Sequence, residues 1–369
     1  MSLHTLAILK LLTVCQKIGK LVQSVKFGKK LTFAASAAGI ALALAACSNP
    51  VTGANGTTNG SDKTISVVFL PSDSAKEADA ARQALTKEIR QATGKKVVVQ
   101  TTTDYNVAIQ AIASGKSQIA LLGPVGYIQA HQQNKSVVPM VTYSGKSGTL
   151  KDAYYHSYLM VPKDKAAGYQ DSGTYSLKTI KGKRISYVSN TNTSTSGFAI
   201  PAGAIQKEFK LKSTDALAQS GQFFQKVLYG GSHQGSAVNL FKGDADVAAF
   251  DDMDLLSYGK FTNDSVAGAT FTVNTDAPAP FDAVRGKESV AIAAYQVQNE
   301  PLAVNKSGIS ASDIKKITTA LTSSRVANDP LFFAPAEAKT HSLLPKDGDT
   351  KFIKISDDWY KPTHDILGE

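Results

Sequence analysis

A segment rich in hydroxyl and amide side chains lies between a predicted strand and a predicted helix. It runs from Ser189 to Phe198 and contains Ser194, Thr195 and Ser196. The first turn of a helix has unpaired N–H groups and a partial positive charge, and neighbouring hydroxyls add further donors. Together these groups can bind a phosphate-like anion without a formal positive charge. The alternative is that the hydroxyls only cap the helix, although the unbroken run of Ser, Thr and Asn over 190–196 is longer than one cap requires.

A second segment, Gly230 to Val238, has the same placement and contains Ser232 and His233. Its glycines allow a backbone to approach a ligand closely. A histidine at the start of a helix can donate a ring N–H to an oxyanion. The alternative is a surface histidine in a turn.

Two tyrosines also lie near predicted helix starts. Tyr105 follows Thr103-Asp104, and Tyr127 follows Gly123-Pro124. A phenol provides one hydrogen-bond donor and an aromatic wall for an alkyl group. Either tyrosine could instead serve only in packing.

The elements that position these segments alternate along the chain. Strands are predicted at 65–70, 97–101, 118–122, 184–188, 225–228 and 247–250, and helices at 75–93, 105–114, 125–132, from about 197, at 234–241 and at 310–325. This alternation indicates an α/β fold with largely parallel sheets flanked by helices. Ligands of such sheets bind at the carboxyl ends of the strands. Further predicted strands at 157–161 and 289–295 suggest that the chain crosses between two lobes near these points.

The N-terminal region has the composition of a secretory signal. Its basic residues are all lysines, it has no acidic residue, and a small apolar run from Leu31 to Ala46 precedes Cys47. This pattern is typical of a signal peptide over 1–46, and the Cys after small residues is similar to a bacterial lipobox, whose Cys is acylated. A membrane-spanning anchor is the alternative, but the apolar run is shorter than the roughly 20 residues that a spanning helix needs. Residues 47–63 are then predicted to be the lipidated Cys and a flexible tether, which places the protein on the outer face of the cytoplasmic membrane.

Composition excludes several classes of function. Without residues 1–46 the chain keeps 34 of its 40 basic residues against 30 acidic ones, a net charge of about +4, and shows no arginine-rich helix, so nucleic acid is not an expected partner. Cys15 would leave with the signal, so the mature chain has no free thiol. Zinc-protease and nucleophile-elbow motifs are missing. We therefore expect no catalytic residue, no cofactor and no metal.

The order of several motifs resembles the phosphate/phosphite/phosphonate-binding proteins of ABC transporters. These motifs are Gly123-Pro124 with Tyr127, Tyr155-His156-Ser157, Ile180-Lys181-Gly182-Lys183-Arg184, Ser194-Thr195-Ser196-Gly197, Gly231-Ser232-His233 and Asp246-Val247-Ala248. The resemblance covers nearly all of 61–325. It implies a two-lobed periplasmic-binding-protein type II fold with the ligand in the interlobe cleft. The lobes would be 64–158 with 299–369, and 159–298.

The resemblance also implies roles for individual residues. Ser194, Thr195, Ser196 and His233 match the positions that hold phosphonate oxygens, and Tyr105 and Tyr155 match aromatic positions of the cleft. In aminophosphonate binders two carboxylates hold the ligand amine. Glu300 matches one of them; at the other the chain has Met253, with Asp252 as the nearest acid. The predicted ligand-binding set is therefore Tyr105, Tyr127, Tyr155, Ser194, Thr195, Ser196, Ser232, His233, Asp252 and Glu300.

The resulting hypothesis is a monomeric, lipid-anchored binding protein that delivers a phosphorus oxyanion to an ABC permease and its ATPase. Two alternatives stay open from the residues alone. One is a surface lipoprotein with a sensory or adhesive role. The other is a phosphoester hydrolase in which Ser196 or Ser232 acts with His233.

Overall fold

The structure is a computed structural model and describes residues 64–71, 78–189, 192–263, 265–335, 338 and 342–367. The predicted signal peptide, Cys47 and the tether lie outside the described residues. Within the described ranges, no helix is both long enough and apolar enough to cross a membrane.

Two sheets with flanking helices form the body of the protein. The strands are β1 Thr64–Phe69, β2 Lys96–Thr101, β3 Ile119–Leu121, β4 Val137–Tyr143, β5 Tyr154–Pro162, β6 Gln170–Asp171, β7 Thr174–Tyr175, β8 Arg184–Tyr187, β9 Lys226–Tyr229, β10 Val247–Asp251, β11 Gly259–Thr262, β12 Thr270–Val273, β13 Glu288–Gln298, β14 Pro301–Asn305, β15 Phe333–Ala334, β16 Leu344–Pro345 and β17 Phe352–Lys354. The helices are α1 Asp79–Thr93, α2 Tyr105–Ala113, α3 Pro124–Gln133, α4 Ile200–Phe209, α5 His233–Lys242, α6 Ala311–Leu321, α7 Ser324–Ala327 and α8 Lys361–Leu367, and a π-helical turn spans Thr195–Ala199.

The first sheet has the order β17-β4-β14-β3-β1-β2. Its β1 pairs in parallel with β2 and β3, whereas β14 and β17 are antiparallel to their neighbours. Five of the six residues of β1 are buried, as expected for a strand covered by helices on both faces. Because β17 pairs with β4, the C-terminal segment completes the same lobe that the N-terminal segment begins.

The second sheet has the order β11-β12-β13-β5-β10-β8-β9. Its β8, β9 and β10 are parallel, and β5, β13, β12 and β11 continue the sheet in antiparallel pairs. The predicted α/β architecture with two lobes is confirmed, and each parallel core is extended by antiparallel strands. Separate apolar clusters fill the two faces of each sheet.

The chain passes between the sheets twice, ahead of β5 and between β13 and β14. Since β5 begins at Tyr154 and lies wholly in the second sheet, the division of the lobes falls before that strand; residue 158, the predicted end of the first segment, lies inside it. On the return, Asn299 and Glu300 separate β13 from β14. The amide of Asn299 donates to the carbonyl of Tyr143 at 2.8 Å, which fixes this crossing against β4.

Candidate functional site

The turn that begins at Ser194 follows β8 and opens α4. The Ser194 hydroxyl accepts a hydrogen bond from the Gly197 N–H at 3.2 Å, so Ser194 is the cap of the π-helical turn. A Cβ added to Gly197 would lie 2.2 Å from Cγ2 of Val188. Glycine is therefore required for the turn to pack against the end of the strand. Ser194 and Ser196 are both buried.

Ser196 lies at the centre of a buried polar cluster. Its hydroxyl donates to Oδ2 of Asp251 at 2.9 Å. The Tyr155 hydroxyl lies 3.4 Å from the same Ser196 oxygen, and Nε2 of His233 lies 3.5 Å from it. The Ser157 hydroxyl donates to the Ser196 carbonyl at 2.7 Å and holds the backbone of the turn against β5. Residues that lie in or follow four strands, β5, β8, β9 and β10, thus meet at this cluster.

His233 is the first residue of α5, and Ser232 caps this helix by accepting from the Gly235 N–H at 3.1 Å. The backbone N–H of Asp251 donates to Nδ1 of His233 at 3.1 Å. Because Nδ1 is an acceptor, the proton of the neutral ring lies on Nε2. Burial lowers the pKa of His233, and this effect outweighs the nearby Asp254 and Asp252 carboxylates, which raise it. His233 is therefore a neutral ring that presents an N–H donor.

That N–H points toward two carboxylates. Nε2 of His233 is 3.3 Å from Oδ2 of Asp251 and 3.8 Å from Oδ2 of Asp254. Ligand atoms of these three residues lie within 4.8 Å of one another, a spacing that could also hold a cation. A cation can bind Nε2 only through the lone pair of that nitrogen. Because Nδ1 accepts a hydrogen bond, Nε2 carries the ring proton and has no lone pair available. The tautomer therefore favours an oxygen acceptor over a metal ion at this nitrogen.

A cavity of about 90 Å³ lies beside this cluster, with Tyr143, Tyr155, Asp251, Asp254 and Glu300 in its wall. Burial raises the pKa of both tyrosines well above the usual value, and the Glu300 carboxylate raises them further. Both phenols consequently remain hydrogen-bond donors at neutral pH. Asp251 and Glu300 belong to different lobes, so acidic groups face this cavity from both sides.

Asp252, which the sequence predicts to bind the ligand, contacts His156 of β5. One of its carboxylate oxygens accepts from the backbone N–H of His156 at 3.0 Å, and the other lies 3.0 Å from Nδ1 of the same residue. Asp252 therefore ties the end of β10 to β5. Its neighbours Asp251, Met253 and Asp254 line the cavity instead. β10 ends at Asp251 and a helical turn begins at Met253, so Asp252 lies at the junction between them and faces β5.

The structure separates the tyrosines that the sequence predicts at one site. Tyr155 contacts Ser196, as described above. Tyr105 lines a second interlobe cavity of about 200 Å³ together with Ser189, Thr193 and Gly231.

Tyr127 lies in neither cavity. Its hydroxyl donates to Oδ1 of Asp357 at 2.5 Å, and its ring packs on that of Tyr360 with centroids 5.3 Å apart. Through these contacts Tyr127 fastens the C-terminal segment to α3 within the first lobe, and its role in ligand binding stays a prediction. Sequence reasoning missed this partner because Asp357 lies more than two hundred residues away.

Thr195 joins the lobes. Its Oγ1 accepts from the Val125 N–H, at the start of α3, at 3.0 Å. A Cβ added to Gly123 would lie 2.8 Å from the same oxygen and 3.7 Å from Oε1 of Glu300. The lobes are therefore in close contact at this point, and the Thr195 side chain is engaged with the opposite lobe.

Among the predicted residues, the structure brings together Tyr155, Ser196, His233 and, across the cavity, Glu300. Sequence reasoning missed Tyr143, Asp251 and Asp254. For Asp251 a signal existed: it is the acid that directly ends a buried strand, at the edge where the sheet presents its ligand site.

Comparisons with known proteins identify the family of the chain. The sequence model for "ABC transporter, phosphonate, periplasmic substrate-binding protein" matches residues 67–360. A phosphate-import protein PhnD of Mycolicibacterium smegmatis is 26% identical over 254 residues, which cover 65% of this chain and 75% of that protein.

Solved structures show the same fold. The binding protein component of an ABC phosphonate transporter from Pseudomonas aeruginosa has a TM-score of 0.60 and 18% identity, with 83% of this chain and 85% of that chain covered. PhnD1 of Prochlorococcus marinus, solved in complex with methylphosphonate, has a TM-score of 0.55 and 15% identity, with 82% and 97% covered. The match of the family over most of the chain means that this protein belongs to the periplasmic substrate-binding proteins of phosphonate ABC transporters.

Proposed function

We propose that this protein captures a phosphonate or related phosphorus oxyanion between its lobes, with the Ser194–Ser196 turn and His233 at the oxyanion end. Membership of the substrate-binding family supports a transport receptor over the adhesive or sensory alternative. One observation carries the residue assignment. The Tyr155 hydroxyl and the Nε2–H of a neutral His233 lie 3.4 and 3.5 Å from the Ser196 hydroxyl oxygen, so three neutral donors are clustered together. Neutral donors of this kind can satisfy the lone pairs of a buried anion.

The same geometry supports binding without chemistry. A serine nucleophile needs a base that accepts its proton. Here Nε2 of His233 already carries a proton, because Nδ1 accepts the backbone N–H of Asp251. The Ser196 proton is directed to Asp251 instead. Ser196 and His233 therefore do not form a nucleophile and base pair.

Acidic groups on the cavity wall favour a second ligand class, the zwitterionic aminoalkylphosphonates. Glu300 and Asp254 line the cavity beside the oxyanion end. A ligand ammonium between them would offset their charge, whereas inorganic phosphate would leave both carboxylates facing an anion. In this arrangement Asp254 takes the place that the sequence predicts for Asp252.

Ligand delivery requires a location near the permease. Acylation of Cys47 would hold the protein at the outer face of the membrane, with residues 48–63 as the tether. We expect a monomer, because each lobe must move freely when it closes on a ligand. Cys47→Ala should release the protein from the membrane fraction, and retention of the variant would contradict the lipid anchor.

The test of the proposed function is a calorimetric titration of the protein with phosphate, phosphite, methylphosphonate and 2-aminoethylphosphonate. Micromolar or tighter binding of at least one of them is expected. A thermal-shift measurement in parallel should show stabilisation by the same compound, since a ligand that binds only the folded state raises its stability. Absence of both signals for all four compounds would refute the proposal.

A further inference from the structure

Asp251 lies where an oxygen of the ligand would lie. The Ser196 hydroxyl donates to its Oδ2 at 2.9 Å, and the His233 Nε2 is 3.3 Å from the same oxygen. The backbone N–H of Asp254 donates to its other oxygen at 3.1 Å. Both oxygens of the side chain therefore accept hydrogen bonds. It is 3% exposed and contacts the groups assigned above to the oxyanion.

An oxyanion that reaches the His233 N–H must therefore approach the Asp251 carboxylate. Two negative oxygens at hydrogen-bond distance, both shielded from water, repel each other strongly. In the described part of the cavity wall the ionisable side chains are Tyr143, Tyr155, Asp251, Asp254 and Glu300, so no lysine or arginine of that part relieves this repulsion. A proton between the two oxygens would convert the repulsion into a charge-assisted hydrogen bond.

We propose that Asp251 accepts a hydrogen bond from the P–OH group of the ligand, so that the site selects phosphorus oxyanions that keep one acidic proton. This inference rests on the proposed function, because it assigns the protonation state of the ligand at that same site. Asp251 acts as a specificity-determining residue. In the absence of ligand its carboxylate satisfies the Ser196 and His233 donors, and the ligand then takes over those donors while its P–OH group donates a hydrogen bond to Asp251.

Two consequences distinguish this role from plain anion binding. First, an isosteric oxyanion without an acidic proton, such as sulfate or methanesulfonate, should be rejected because nothing bridges it to Asp251. Second, affinity for phosphate or methylphosphonate should fall as pH rises above the second ionisation of that ligand. The other ionisable groups that face the site are Tyr143, Tyr155, His233, Asp254 and Glu300, with the His156–Asp252 pair behind them.

Those groups give different pH signatures. Both tyrosines stay protonated, because burial and the Glu300 charge raise their pKa values. His233 gains a proton only below its usual range, because burial lowers its pKa. Titration of the two tyrosines and of His233 therefore does not produce a loss of affinity between pH 7 and 9. A loss in that range follows the proton of the ligand.

The experiment measures calorimetric affinity for inorganic phosphate and methylphosphonate from pH 6 to 9, with sulfate and methanesulfonate as proton-free probes. The unmodified protein should lose about tenfold in affinity per pH unit above the second ionisation of each phosphorus ligand, take up one proton per ligand in that range, and bind sulfate at least 100-fold more weakly than phosphate. Asp251→Asn should flatten the pH profile and gain at least tenfold in sulfate affinity.

The possible outcomes distinguish the role of Asp251 from the proposed function of the protein. Phosphate or methylphosphonate binding that is independent of pH, without proton uptake, would overturn the role of Asp251 and leave the proposed function standing. Binding of sulfate as tight as phosphate, or an unchanged pH profile in Asp251→Asn, would do the same. Absence of binding by every phosphorus ligand at every pH would overturn both. The measurements on the unmodified protein decide the question even if Asp251→Asn does not fold.

Discussion

Gly123 lies directly before α3, at the contact between the lobes. Its backbone has φ −63° and ψ 154°, a conformation that any residue adopts. A methyl group here would nevertheless lie 2.8 Å from Oγ1 of Thr195 in the opposite lobe. Gly123→Ala therefore introduces a steric conflict only where the lobes meet. The prediction is that it weakens ligand binding without destabilising either lobe.

The magnitude follows from the cost of overpacking, about 1–3 kcal/mol for an inserted methyl group in a tight contact. Since about 1.4 kcal/mol corresponds to a tenfold change in affinity, the dissociation constant should rise about 5- to 140-fold. Thermal stability in the absence of ligand should stay the same or rise slightly, because alanine restricts the unfolded chain more than glycine does.

The assay compares dissociation constants by calorimetry for the ligand that binds the unmodified protein. Gly126→Ala is the matched control on the same helix, because its added Cβ meets only ordinary contacts, 3.5 Å to Cδ1 of Ile109 and 3.6 Å to the Thr193 carbonyl. Thr195→Ala removes the oxygen that conflicts with the methyl group. In the Thr195→Ala background, the loss caused by Gly123→Ala should therefore shrink.

Three results would contradict the prediction for Gly123→Ala. Unchanged affinity in Gly123→Ala would refute the claim that ligand binding requires this lobe contact. An equal loss in Gly126→Ala would show that the effect is not specific to Thr195. Strict additivity of the Gly123 and Thr195 changes would also refute it, because two groups in direct contact should show an interaction energy in a double-mutant cycle.

Three further predictions concern single residues. His233→Asn keeps an acceptor near Nδ1 but removes the Nε2 donor, so the affinity for the ligand should fall at least tenfold in calorimetry. His233→Gln places an amide N–H near Nε2 and should recover part of this affinity. Equal affinity in the unmodified protein and both variants would mean that the Nε2 donor does not bind the ligand. Glu300→Gln should weaken 2-aminoethylphosphonate and spare methylphosphonate in the same titration, and equal losses would mean that Glu300 does not bind an amine. Asp246 accepts from Nε and Nη2 of Arg184 at 3.0 and 2.6 Å and from its backbone N–H at 3.0 Å, and these bonds lower the pKa of Asp246. These bonds stabilise the folded state by roughly 1–2 kcal/mol above the pKa that Asp246 has in the unfolded state, and this stabilisation is lost as pH falls through the lowered pKa. The difference in melting temperature between the unmodified protein and Asp246→Asn should therefore vanish in acid. A difference that does not depend on pH would contradict this prediction.

The sequence determined the architecture because its signals are local. The alternation of apolar runs, glycine stops and capping residues places most strands and helices within a few residues of those observed; the predicted helix 105–114, for example, is α2 Tyr105–Ala113, capped by Asp104. The same local patterns indicate the two proposed anion-binding segments, because a Ser/Thr-rich turn and a Ser-His pair at helix starts have their donor groups in adjacent residues.

The tertiary structure decided which of those residues share a site, because that depends on register and on partners far away in the chain. Whether Asp251 or Asp252 faces the cavity depends on where β10 ends, and a shift of one residue in that end would exchange the two acids. Tyr127 is bound by Asp357, and Thr195 by the Val125 N–H, through contacts that no local pattern encodes. The protonation of His233 likewise follows from the backbone N–H of Asp251, which only the folded chain brings to Nδ1.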